Sequence, residues 1–86
     1  MKYTCPCCGY KTLDEEPPGT HAICRVCFWE DDNYQYEYPD EDGANKISFR
    51  ESQQNFIKFG VSDLDFSKNV RKPNNSDIKD PNWKLI

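Results

Sequence analysis

A chain of 86 residues in which 36% are hydrophobic and 30% charged has room for one small domain, and too little aliphatic material to hold it without a staple such as a metal or disulfides. An aromatic content of 14% is too high for a disordered tail, and a formal charge of −4 repels phosphate backbones, which argues against nucleic acid as a partner. There is no run of about 18 apolar residues and no apolar stretch of signal-peptide length in MKYTCPCCGY, so the expectation is a cytoplasmic protein with no membrane association.

Residues 1–29 are expected to form a metal-binding ribbon. In a reducing compartment five cysteines, an odd number confined to the first 27 residues, read as metal ligands before they read as disulfides. Cys5-Pro6-Cys7-Cys8-Gly9-Tyr10 and Cys24-Arg25-Val26-Cys27 each contain a Cys-x-x-Cys turn, which presents two thiolates at the separation a tetrahedral ion needs, and 15 residues separate Cys8 from Cys24. Pro6 fixes the entry to the first turn and Gly9 supplies a positive φ behind Cys8. The predicted ligands are therefore Cys5, Cys8, Cys24 and Cys27, holding one structural Zn2+, with iron as the alternative ion. Four thiolates close the shell and leave no position for water or substrate, so no enzymatic activity is expected. Cys7 is left as a free thiol at the rim of the site, either without a role or open to oxidation and metal exchange. His21 lies three residues before Cys24 and is read as a strand residue in His21-Ala22-Ile23 rather than a ligand. Short strands, Tyr3-Thr4 among them, lead into the turns, joined by the turn-rich connector Asp14 to Gly19.

Residues 30–47 are expected to form an acidic aromatic strand and turn. From Phe28 to Gly43 there are seven carboxylates and no Lys or Arg. The calcium-loop spacing is absent, and Tyr34-Gln35-Tyr36-Glu37-Tyr38 alternates as a half-exposed strand would, with its tyrosines on one face. A helix over residues 48–60 follows: Ser48 and Glu51 have the spacing of a capping box, Gly60 is its stop with Val61 folding back on Phe56, and Phe49, Phe56 and Ile57 face the ribbon. Residues 61–86 are a polar C-terminal extension whose late apolar side chains, Trp83 above all, are expected to dock on the domain.

The stretches Cys5-Pro6-Cys7-Cys8-Gly9-Tyr10, Cys24-x-Val26-Cys27-Phe28-Trp29-Glu30-Asp31-Asp32, Gly43-Ala44-Asn45 and Asn55-Phe56 with Phe59-Gly60 together resemble the small bacterial cysteine-rich CPCC family, through about residue 71. That resemblance implies a bacterial protein with a zinc site, and implies no activity. Met1 to Tyr10 also resembles rubredoxin, where iron in four thiolates carries an electron. The second turn departs from that pattern, since Arg25-Val26 and Phe28 stand where rubredoxin has a proline within the turn and a glycine after it.

The reading is a single small α+β domain, a zinc ribbon with rubredoxin-like knuckles and one packed helix, acting as a protein–protein interaction module such as an acidic adaptor or an antitoxin or immunity protein. Trp29, Tyr34, Tyr36 and Tyr38 are its candidate contact face for a basic protein partner. A rubredoxin-like electron carrier and a nucleic-acid-associated zinc ribbon are the alternatives, the latter opposed by the charge.

Overall fold

The computed structural model describes residues 2–86 and is a small α+β arrangement of a two-stranded sheet, two helices and a 3-10 turn. Strands β1 (Tyr3–Thr4) and β2 (Lys11–Leu13) pair antiparallel around the first cysteine turn. Tyr3 lies opposite Leu13 and Thr4 opposite Lys11, so Thr12 is the extra residue of a bulge. The bulge breaks the alternation of the strand, and Thr12 and Leu13 are both buried.

The two cysteine turns copy each other in backbone. Gly9 N donates to Cys5 O (2.8 Å) and Cys5 N to Tyr10 O (2.8 Å); Phe28 N donates to Cys24 O (2.7 Å) and Cys24 N to Trp29 O (3.0 Å). The residue that closes each turn is left-handed, at φ 79° for Gly9 and 67° for Phe28. Glycine meets this demand freely, whereas Phe28 adopts it at a steric cost, offset in part by its ring lying 4.7 Å from that of Phe66. The strand expected at His21-Ala22-Ile23 is reduced to a single bridge between Ile23 and Glu30. His21 itself sits at φ 60°, which interrupts any extended run before the turn.

The tyrosine-rich segment is a helix and not the expected strand. Helix α1 (Asn33–Glu37) is capped by Asp32, whose side chain accepts from Tyr34 N (3.1 Å). What decides the conformation is Gln35, fully buried, whose Nε2 donates to Glu41 O (3.0 Å) and Ile47 O (2.8 Å) while its Oε1 accepts from Asn45 N (3.0 Å) and Asn45 Nδ2 (2.9 Å). Four hydrogen bonds to one amide outweigh an alternation that only surface tyrosines carry. The same network accounts for Gly43-Ala44-Asn45. A Cβ on Gly43 would stand 2.5 Å from Asp32 Oδ2 and 2.8 Å from Gln35 Cγ, Ala44 N donates to Asp32 Oδ2, and Asn45 pairs with both backbone groups of Glu30.

Helix α2 (Phe49–Phe59) starts and stops as its sequence predicts. Glu51 N donates to Ser48 Oγ (3.1 Å), and Gly60 closes the helix at φ 78° with its N–H on Phe56 O. Val61 beyond it is buried. The inward stripe is Phe49, Ser52, Gln53 and Phe56; Ile57, expected to face the ribbon, is 58% exposed because it lies off that stripe. The core of the described residues is Leu13, Val26, Trp29 and Phe49 together with all five cysteines. With so much of the interior made of sulfur, an ion bridging those sulfurs would be the main link between its parts. Among the described residues no helix is long and apolar enough to cross a membrane.

Candidate metal centre

The paired turns bring the sulfurs of Cys5, Cys8, Cys24 and Cys27 within 4.8 Å of one another, all buried. Across the two turns Cys5 Sγ lies 3.6 Å from Cys27 Sγ, and Cys8 Sγ lies 3.8 Å from Cys24 Sγ. Thiolates at about 2.3 Å from a tetrahedral ion stand about 3.8 Å apart along each edge. A disulfide needs about 2.05 Å, and all five cysteines are free. Donor type, number and spacing therefore fit a metal ion held by these four residues.

The electrostatics of the cluster favour the same occupant. Burial pushes the Cys5 and Cys27 thiols up, so in the absence of a cation these sulfurs keep their protons. Cys24 is drawn strongly down, first by the thiol of Cys27, then by Cys5 and Cys8, with the Thr12 hydroxyl adding to the effect. That hydroxyl is 3.0 Å from Cys24 Sγ and is placed there by the bulge in β2. The dry pocket tolerates little negative charge of its own, and four thiolates can coexist in it only around a cation. Outside, Lys2, Lys11, Arg25 and Arg71 line one shallow cleft of about 120 Å³ together with Thr12. Four of the chain's eleven basic residues thus gather on the side of the cluster that carries Cys24. Two of them are matched by carboxylates, Lys2 by Asp14 and Arg71 by Asp77, the latter with N–O distances of 2.6 and 2.8 Å. Of the four, Arg71 also feels the charge of Cys24, while Arg25 and Lys11 act on the carboxylates of Asp14 and Asp80.

The other residues singled out from the sequence are distributed differently. Cys7 is not at the rim. Its thiol is fully buried, contributes to raising Cys27, and is shut in because helix and tail both close over the first turn. His21 is exposed and its Nδ1 lies 3.4 Å from Glu30 Oε2, away from the sulfurs. Trp29 is 2% exposed and stacks at 5.6 Å on Phe49, so it belongs to the core and not to a contact face. The helix also divides the tyrosines. Tyr34 and Tyr38, one turn apart, pair at 4.9 Å on the outside, while Tyr36 turns toward Phe49 at 5.7 Å. Tyr34 and Tyr38 line a shallow depression of about 450 Å³ with Glu37 and Glu41.

Several residues that build the site carry no sequence signal. Thr12 reads as an ordinary strand residue until the register is known. Gln53 reads as an exposed helix position, yet its Nε2 donates to Pro6 O inside the first turn (3.0 Å). Asp31 lies in an acidic run but is buried, its Oδ2 accepting from the N and Oγ1 of Thr20 (2.9 and 2.8 Å), which ties down the approach to the second turn.

No curated protein matches the chain. The family described as Cysteine-rich CPCC matches residues 3–77, a span that holds all four clustered cysteines and the helix behind them, and the chain belongs to that family.

Proposed function

We propose that this protein is a non-catalytic zinc module, its tetrathiolate centre structural and its acidic aromatic surface around α1 the docking site for a basic protein partner in the bacterial cytoplasm. The observation that carries the first half is the complete burial of four sulfurs at tetrahedral spacing. Such a shell offers no open coordination position at which a substrate could be polarised or a water activated. Cys5, Cys8, Cys24 and Cys27 would hold the ion, whose contribution is to cross-link a core that has few aliphatic side chains.

The second half is supported by the surface. Tyr34, Tyr38, Glu37 and Glu41 combine exposed rings with carboxylates, and Arg50 engages the neighbouring Asp40 at 2.7 Å, leaving Glu37 and Glu41 for a partner. The −4 charge of the chain becomes more negative still when four thiols lose their protons to a divalent ion. Both halves can be tested on one preparation. Elemental analysis should give one zinc per chain in a colourless protein; a red protein with thiolate-to-iron absorption that bleaches on reduction would replace this reading with electron transfer. The doubly substituted Tyr34→Ala, Glu37→Lys protein should keep its zinc and lose whichever basic proteins the parent captures. Equal capture by both would remove this surface from the proposal.

A further inference from the structure

The last residues of the chain lie across the first cysteine turn and take up its outward-facing backbone. Trp83 Nε1 donates to Pro6 O (2.7 Å), Lys79 Nζ donates to Cys8 O, and Asp80 N donates to Gly9 O (2.8 Å). A bridge joins Tyr10 to Lys79, Lys11 N donates to Ile78 O (2.9 Å), and Thr4 Oγ1 donates to Asp80 Oδ2 (2.6 Å). Above Gly9 lies the indole itself, so close that a Cβ on that glycine would stand 2.6 Å from Trp83 Cδ2. Lys79 is clamped in turn among three rings, 4.4 Å from the centre of Trp83, 4.8 Å from Tyr10 and 5.7 Å from Phe56.

The second turn is braced differently, by Ser62 N on Cys27 O (2.8 Å) and Arg71 N on Arg25 O (3.3 Å), from the stretch between α2 and the tail. Only the first turn is covered by a segment that lies beyond the family match, which ends at residue 77. The cover is built to let go more readily than the core beneath it. Beyond its single bridge it forms no helix or strand, Trp83 is half-buried, and Ile78, Leu85 and Ile86 are exposed. A segment with few buried apolar contacts opens locally at far lower cost than the core unfolds. For Cys5 or Cys8 to release the ion to an incoming ligand the first turn must swing outward, and the indole over Gly9 stands in the way.

We propose that residues 78–86 are a strap over the first cysteine turn whose opening sets the rate at which the metal enters and leaves, with Trp83 as its latch and Lys79 as the pin that holds the latch. The strap acts on kinetics, by blocking movement of the turn, and coordinates nothing itself. This rests on the metal-centre reading above, and the test separates the two.

The zinc-loaded full-length protein is mixed with excess chromophoric chelator and the rate of zinc transfer measured, beside stoichiometry and equilibrium affinity. Trp83→Ala should still bind one zinc per chain and transfer it on the order of tenfold faster, as expected for loss of a half-buried ring and one hydrogen bond. Lys79→Gln should fall between that variant and the parent, and Trp83→Phe, which keeps a ring over Gly9, should restore most of the slow exchange. Affinity should change less than rate, because entry and exit accelerate together. Hydrogen exchange at the Asp80 and Lys11 amides, which bond across the strap, should report an opening rate no slower than transfer. Variants that hold one zinc with unchanged circular dichroism and transfer it at the parental rate would overturn the strap. A parent protein that binds no metal would overturn the metal-centre reading and the strap with it.

Discussion

Replacing Thr12 with valine is a sharp test of how the protein tunes its cluster. The side chain is buried, its hydroxyl is 3.0 Å from Cys24 Sγ, and valine has nearly the same branched shape, so the substitution deletes a donor and little else. A hydrogen bond to a charged acceptor contributes about 1.5–3 kcal/mol, and loss of a group that supports a metal ligand lowers affinity by roughly 10- to 100-fold. The two estimates agree, since 1.4 kcal/mol corresponds to about a factor of ten. The Thr12→Val protein should therefore bind zinc on the order of tenfold to a hundredfold more weakly in chelator competition at constant pH, with the fold of the loaded protein preserved because a methyl group is at home in that interior. Thr12→Ser should recover most of the loss. A Thr12→Val affinity within about twofold of the parent would show that the bulge in β2 has no bearing on the sulfur it faces.

The Gln35 amide makes four hydrogen bonds from a buried position, so Gln35→Ala should lower the unfolding free energy of the zinc-loaded protein by roughly 3–5 kcal/mol in denaturant titration; a loss under about 1 kcal/mol would mean that α1 is held by something else. Trp29→Ala should cost about 3–5 kcal/mol as a core truncation, while Tyr34→Ala on the exposed side of α1 should cost under about 1 kcal/mol, and similar values would contradict the placement of the indole. Arg71 holds Asp77 down at about 2, so this pair contributes above the ordinary carboxylate value near 3.9 and is lost only as pH falls through about 2. Between pH 7 and 5 it is nearly constant, so metal release in that window is expected to come from protonation of the ligand thiolates. Asp77→Asn should accordingly leave the midpoint of acid-induced metal release unmoved, and a displacement beyond about half a pH unit would refute that assignment.

Much of this protein is written in short stretches of its sequence. The two Cys-x-x-Cys turns, the glycine behind Cys8, the Ser48 cap and the Gly60 stop all depend on backbone preferences and side-chain reach within a few residues, and each stands where the sequence puts it. The docking of Trp83 follows from its chemistry as well, since a large ring in a polar tail lowers its free energy by covering something. Tertiary structure decided the rest. Tyr34 to Tyr38 alternates like a strand, yet forms a helix because the Gln35 amide finds four partners, two of them on Asn45, that lie next to it only in the folded chain. Thr12 acquires its role from a one-residue slip in strand register, and Cys7 and Trp29 became interior because the helix, the tail and the second turn converge on them. Local preferences act over a few residues, whereas the Gln35 amide bonds groups 6 to 12 residues away, Thr12 faces a sulfur 12 residues away, and the core joins residues from Cys5 to Phe49, so their energy comes from contacts that only the folded chain makes.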